Sequence, residues 1–241
     1  MSTLRRFVVL ISLAIPFGAH AQMIANGGFE DSVAFLNHWN LAGVATASAD
    51  LVDSTNRASV NIPTGTSIWQ SFDGIEGSGV FEFYIKPLSL GTEATNRIRL
   101  QTASGDDLLN LRFDHLGHIQ AFAGGAWSNL PTSGEGSVSL NRTSRICISL
   151  NDLHTTGRSF EVQWSDFSFG NPSGRLDLNH TSGLLTTFAG APVGSAFDQI
   201  RFESGNQSSL RVDGIAAVPE PGTLAALSAG LLAVIRRRAQ R

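Results

Sequence analysis

The 241-residue sequence lacks nearly every feature that would announce a chemistry. Its single cysteine, Cys147, excludes an internal disulfide. That residue lies in the strand-like run Arg145-Ile146-Cys147-Ile148-Ser149-Leu150 with no histidine or acid beside it, and it reads as a small buried hydrophobe, not a reactive thiol. There is no Gly-x-Ser-x-Gly elbow, phosphate loop or dinucleotide fingerprint. Also missing is a Glu-x-Asp-x-x-Glu run, which would set alternate acids on one strand face for glycoside hydrolysis. Between residues 22 and 217 no stretch keeps a helical period, and no internal repeat, charge run or low-complexity segment marks a second domain. The two apolar runs, Phe7–Phe17 and Thr223–Ile235, both fall short of the ~20 residues of a comfortable membrane span.

What is present is concentrated first at the ends. Arg5-Arg6 precedes the apolar run to Phe17, and Ala19-His20-Ala21 supplies a small-x-small site, so residues 1–21 read as a signal peptide cut after Ala21. Phe7 and Val8 follow the arginine pair without the polar context of a twin-arginine signal, which favours the general secretory route and signal peptidase. At the other end Val218-Pro219-Glu220-Pro221-Gly222 leads into apolar sequence closed by Arg236-Arg237-Arg238. The two prolines fix φ and keep a helix from extending backwards, making the tripeptide an extended joint. The 14 uncharged residues Gly222–Ile235 would span roughly 21 Å as a helix, against about 30 Å of hydrocarbon. A short apolar helix ending on a basic stop is a marginal anchor with its arginines on the cytoplasmic side.

Residues 218–241 closely resemble the PEP-CTERM sorting signal: Pro219-Glu220-Pro221, apolar helix and arginine cluster stand in the expected order. The resemblance implies recognition by an exosortase, an integral-membrane transpeptidase-like enzyme. It also implies transient inner-membrane attachment, processing at the motif and a destination at the cell surface or in the extracellular polysaccharide matrix.

The intervening residues 22–217 suit one larger all-β domain. They carry 11 basic against 19 acidic residues, a net charge of about −8 that the overall −3 conceals. Such a balance disfavours nucleic acid, which needs positive patches to release counterions. Alternation with a period of two runs through Phe81-Glu82-Phe83-Tyr84-Ile85-Lys86, Arg97–Gln101 and Leu109–Asp114. Further strands are expected at His118–Phe122, Arg145–Leu150, Phe160–Trp164, Leu176–Asn179, Ile200–Glu203 and Leu210–Ile215, separated by turns such as Gly124-Gly125. Roughly ten short strands at this spacing predict an antiparallel β-sandwich, with a jelly roll the natural size match.

Ile24-Ala25-Asn26-Gly27-Gly28-Phe29-Glu30-Asp31 followed by Trp39 looks like the opening strand of galactose-binding-like carbohydrate-binding modules. The stretch from Val80 through Asp114 to the Phe160 strand, with Leu210–Ile215 at the end, is more similar to concanavalin A-like or laminin-G-like sandwiches. Either resemblance implies a structural calcium where the first and last strands meet, with Glu30 and Asp213 as its carboxylates. Plainer readings are a solvated strand-end acid for Glu30 and a turn before Gly214 for Asp213.

Sugar binding in such modules rests on aromatic rings. Trp69 and Trp164 lie in strand-like runs and read as core, while Trp127, in a Gly-rich turn region, and Trp39 are the candidate ligand-binding rings. Asp114 with His118, Asp152 with His154 and Asp177 with His180 are acid–imidazole neighbours whose spacings fit no metal-ligand pattern. The expectation is an exported, non-enzymatic structural protein of surface or matrix. A lectin-like module recognising exopolysaccharide is the alternative, and a glycan hydrolase stands behind both.

Overall fold

The computed structural model describes residues 24–30, 36–48, 58–92, 96–131, 137–165 and 178–219. The signal peptide and the tail from Glu220 onward lie outside the described residues, as do Leu176 and Asp177.

Among the described residues fourteen strands form two seven-stranded sheets, every pairing antiparallel. The first sheet runs in the order β1 (Asn40–Ala42), β4 (Thr66–Ile75), β13 (Phe197–Ser204), β6 (Asn96–Gln101), β7 (Asp107–Phe113), β8 (Ile119–Ala123), β9 (Ala126–Asn129). The second runs β12 (His180–Thr181), β11 (Ser159–Trp164), β10 (Ser144–Asn151), β5 (Gly79–Ser89), β14 (Ser209–Pro219), β3 (Ser59–Ile62), β2 (Thr46–Ser48). No helix occurs among the described residues.

The alternation expected from the sequence is what closes the two sheets on each other. Phe81, Phe83 and Ile85 of β5 and Ile146, Ile148 and Leu150 of β10 point inward and are buried, as are Ile98, Leu100, Leu109, Leu111, Ile200 and Phe202 from the first sheet. Rings meet across the gap: Phe83 and Phe202 edge to face at 5.3 Å, Phe81 and Phe197 at 4.4 Å. Such pairs add about 0.5–1.5 kcal/mol to their area burial. Trp164 and Cys147 are buried, as expected of both.

The Asn26–Gly27 turn packs on β14. Ile215 N–H donates to Gly27 O at 3.0 Å, and a Cβ on Gly27 would stand 1.9 Å from Ile215 O, so only glycine allows this approach. Gln70 of β4, whose side chain points inward, stitches the same segment. Its Oε1 accepts from Ala25 N at 2.8 Å, and its Nε2 donates to Ala25 O at 2.9 Å and His38 O at 3.0 Å.

One local expectation is corrected. Asp213-Gly214 is not a turn but lies within β14, where Gly214 has φ of 56° and the register with β5 shifts between Asp213 and Ala216, a bulge in a continuing strand. That strand then runs on through Val218 to Pro219, which are paired with Val80 and Gly79. It thus reaches two residues into the segment assigned to the tail.

Candidate functional site

On the outer face of the first sheet, ladder register places side chains in two neighbouring cross-strand rows. One runs Asn40, Trp69, Arg201, Arg99, Asn110, Phe122, Trp127; the other runs Ala42, Ser67, Glu203, Arg97, Arg112, Gln120, Asn129. The cause is period-two sequence: Arg97 and Arg99 flank inward Ile98, Arg112 stands between inward Leu111 and Phe113, and Arg201 between Ile200 and Phe202. Trp127 joins the face through a two-residue hairpin, Gly124-Gly125, whose φ values of 60° and 84° are those of a type I′ turn. It returns β9 along β8 with Trp127 opposite Phe122.

The aromatic and cationic groups interlock. The Trp127 ring carries the Arg112 guanidinium 4.2 Å and the Arg97 guanidinium 5.6 Å from its centroid, with Phe122 at 5.2 Å. At the far end Arg201 lies 4.9 Å over Trp69, an arrangement worth about 0.5–1 kcal/mol when exposed. Between them Arg99 Nε bonds Asp107 at 2.9 Å and its Nη1 bonds Glu203 at 3.2 Å, while Arg201 Nε reaches Glu203 at 2.6 Å. Burial alone would lower the Arg99 pKa, but the hydrogen bonds and charges of Asp107 and Glu203 outweigh it and hold the group above its usual value. Arg112 moves the other way, lowered first by burial and then by the charge of Arg97, with Asp114 opposing. Beside the rows, Ser67, Arg97, Arg201, Glu203, Ser204 and Asn206 line an open groove of about 370 Å³.

The candidate rings part company here. Trp127 is half-buried on this face, in a strand where a turn region was expected. Trp39 is a core residue: it is 8 % exposed, packs on Phe29 at 5.3 Å and Phe202 at 6.4 Å, and donates Nε1–H to Asn26 O at 3.2 Å. It has no ring face to offer a sugar. Trp69, read as core, instead points outward on this face, because Ile68 and Gln70 take the inward positions.

Asp213 is wholly buried and its Oδ1 accepts from Gly214 N–H at 2.7 Å, while Glu30 is exposed and its Oε1 accepts from Ala58 N–H at 3.1 Å. Among the described residues no three His, Cys, Asp or Glu side chains gather as a cation site. Calcium asks for six to eight oxygens, and these two side chains alone do not complete that cage. Asp114 and His118 do meet, Oδ2 to Nδ1 at 2.8 Å, and Asp114 Oδ1 accepts from the backbone of Leu116 and His118. This closes the β7–β8 turn.

Arg97, Arg99, Arg112, Arg201 and Trp69 were not singled out as functional from sequence. The available signal was arginine recurring at the outward positions of alternating strands.

The solved structures it resembles in fold are jelly-roll or concanavalin-like domains, among them both carbohydrate-binding and glycoside hydrolase-type proteins. They include a sialidase (13 % identity, TM-score 0.57, 82 % of this chain on 19 % of that one). An endo-β-1,4-glucuronan lyase of the fungus Trichoderma reesei matches at 11 % identity and TM-score 0.50, over 77 % of this chain and 93 % of that one. The Emp47p carbohydrate recognition domain matches at 12 % identity and TM-score 0.50, over 84 % and 99 %. The chain thus spans only a fifth of the sialidase, and at these identities the likeness is one of fold. No curated protein matches the sequence. Residues 217–239 match the PEP-CTERM protein-sorting motif. The motif implies an exported protein with a C-terminal anchor and an exosortase as its processing partner.

Proposed function

We propose that this is an exported surface protein, handled by an exosortase at Pro219-Glu220-Pro221 after removal of residues 1–21, whose sandwich binds polysaccharide without catalysis. The observation that carries the reading is the row from Trp69 to Trp127. It crosses six strands, about 24 Å at ~4.8 Å per strand, and sets aromatic rings at both ends with arginines and amides between. An open strip of that length suits a polymer chain, whereas a monosaccharide would call for an enclosed pocket. The two carboxylates at the rows, Asp107 and Glu203, are engaged by guanidinium groups, and Asp114 beside them by His118, which favours recognition over acid–base chemistry. The destination is cell surface or exopolysaccharide matrix, reached through brief inner-membrane attachment by the apolar helix.

The test is retention of the full-length protein, in mild detergent, on a panel of immobilised polysaccharides. Binding that Trp69→Ala and Trp127→Ala each weaken about tenfold supports the reading. Turnover of any polysaccharide overturns its non-catalytic part. Absence of binding across the panel leaves a purely structural role in the matrix.

A further inference from the structure

Resting on that polysaccharide reading, the geometry points to a carboxylated glycan, with Arg97 and Arg112 as the pair that receives its uronate groups. Three observations converge. First, Arg97 and Arg112 are direct cross-strand partners on β6 and β7, and like charges placed opposite each other are destabilising. Second, the compensation that was within reach is directed elsewhere. Glu203 stands directly opposite Arg97 on the other side, yet its carboxylate goes to Arg99 and Arg201, and Asp107 also goes to Arg99. Among the described residues neither Arg97 nor Arg112 has a carboxylate within ion-pair distance. Arg112 Nε is used by Gln120 Oε1 at 2.6 Å, which fixes the plane of the guanidinium and leaves its terminal nitrogens without a protein acceptor among the described residues. Third, both guanidiniums lie over one ring, Trp127, so the two cations are held side by side on the open face.

A carboxylate answers each of these. It relieves the repulsion, accepts from the terminal nitrogens of Arg112 and from the neighbouring Arg97, and leaves the groove along Ser67 and Asn206 for the next residue. The domain's net charge of about −8 does not forbid an acidic ligand: beyond a Debye length of ~8 Å at physiological salt that repulsion is screened, while contacts at hydrogen-bond distance are not. Arginine is also the fitting residue, since its planar fork matches a carboxylate and lysine's point charge does not.

Titrate full-length protein in mild detergent with polygalacturonate, with fully methyl-esterified polygalacturonate, with dextran and with dextran sulfate. The expected result is binding to polygalacturonate that esterification reduces at least tenfold, with Arg97→Gln and Arg112→Gln each costing about tenfold or more, as loss of hydrogen bonds to a charged group implies. Arg112→Lys is expected to recover less than half of the lost binding free energy, which a charge-only role would restore in full. Equal binding of the ester and the acid, lost in Trp127→Ala but not in the arginine variants, overturns the acidic assignment and leaves polysaccharide recognition standing. Dextran sulfate bound as tightly as polygalacturonate, with Arg112→Lys unimpaired, overturns it in favour of generic polyanion attraction. No binding to any probe overturns both readings.

Discussion

Arg145 on the outer face of the second sheet and Arg112 on the outer face of the first both alternate with inward apolar neighbours in antiparallel strands, yet they are treated oppositely. Arg145 is 8 % exposed and forks onto Glu82 with two 2.8 Å hydrogen bonds. Burial alone would lower its pKa, and Glu82 more than reverses that. Around it Tyr84, Cys147 and Asp213, all on the same outer face, are buried too. Arg112 is half-buried, bonded among the described residues only to an amide, and faces another arginine. A buried charge must be paired or the fold suffers; a half-exposed one tolerates being left for a ligand. The contrast separates an arginine that holds the sandwich together from arginines that the sandwich holds ready.

Breaking the contrast at its strongest point comes first. Arg145→Ala leaves Glu82 without its fork on a covered face and is expected to cost about 3 kcal/mol, read as a fall in denaturation midpoint, with polysaccharide retention unchanged in the folded fraction. Trp69→Ala, on the open face, is expected to cost about 1 kcal/mol from lost stacking with Arg201 and lost half-buried area, but to weaken binding; a stability loss as large as that of Arg145→Ala would erase the distinction between the faces. Asp114→Asn has a smaller effect. Burial pushes that carboxyl up, but the hydrogen bonds of His118 and Leu116 outweigh it and set its folded pKa below the ordinary 3.8. Its stabilisation is therefore present above pH 3.8 and lost as pH falls through the folded value, so the variant should be slightly less stable than the parent at neutral pH, show a flatter acid limb, and converge on the parent at low pH. Smallest is Arg97→Gln, expected within about 0.5 kcal/mol of the parent and tending to stabilise, because it removes a like-charge neighbour. A clear destabilisation would show that Arg97 holds the fold.

Period-two alternation made β5, β6, β7, β8, β10, β11, β13 and the start of β14 legible from residues alone, because each buries one face and wets the other. β1, β2, β3 and β12 have two to four residues, too few for a period to register. β9 escaped for the same reason, and because Gly124-Gly125 drew its residues into the turn. The face of Trp69 was misread for a sharper reason. Hydrophobicity ranks tryptophan as inside and glutamine as outside, but Gln70 is drawn inward by three backbone hydrogen bonds to Ala25 and His38, and the alternation then sends Trp69 out. Those bonds come from a segment more than thirty positions away, which no local pattern encodes. The arginine rows were written in the sequence strand by strand; what was absent was the register that sets Arg97 against Arg112 and both beneath Trp127.

β14 has a consequence in time. The chain's last described strand is not at the rim of its sheet but between β5 and β3, so Val60 waits for Val212 and Val80 for Val218 before the second sheet can close. In a chain delivered from its N-terminus, β2 and β3 would stay unpaired with the rest of their sheet until β14 emerges. Contacts this distant in sequence form slowly. Completion of the second sheet therefore depends on the strand that leads directly into the sorting motif.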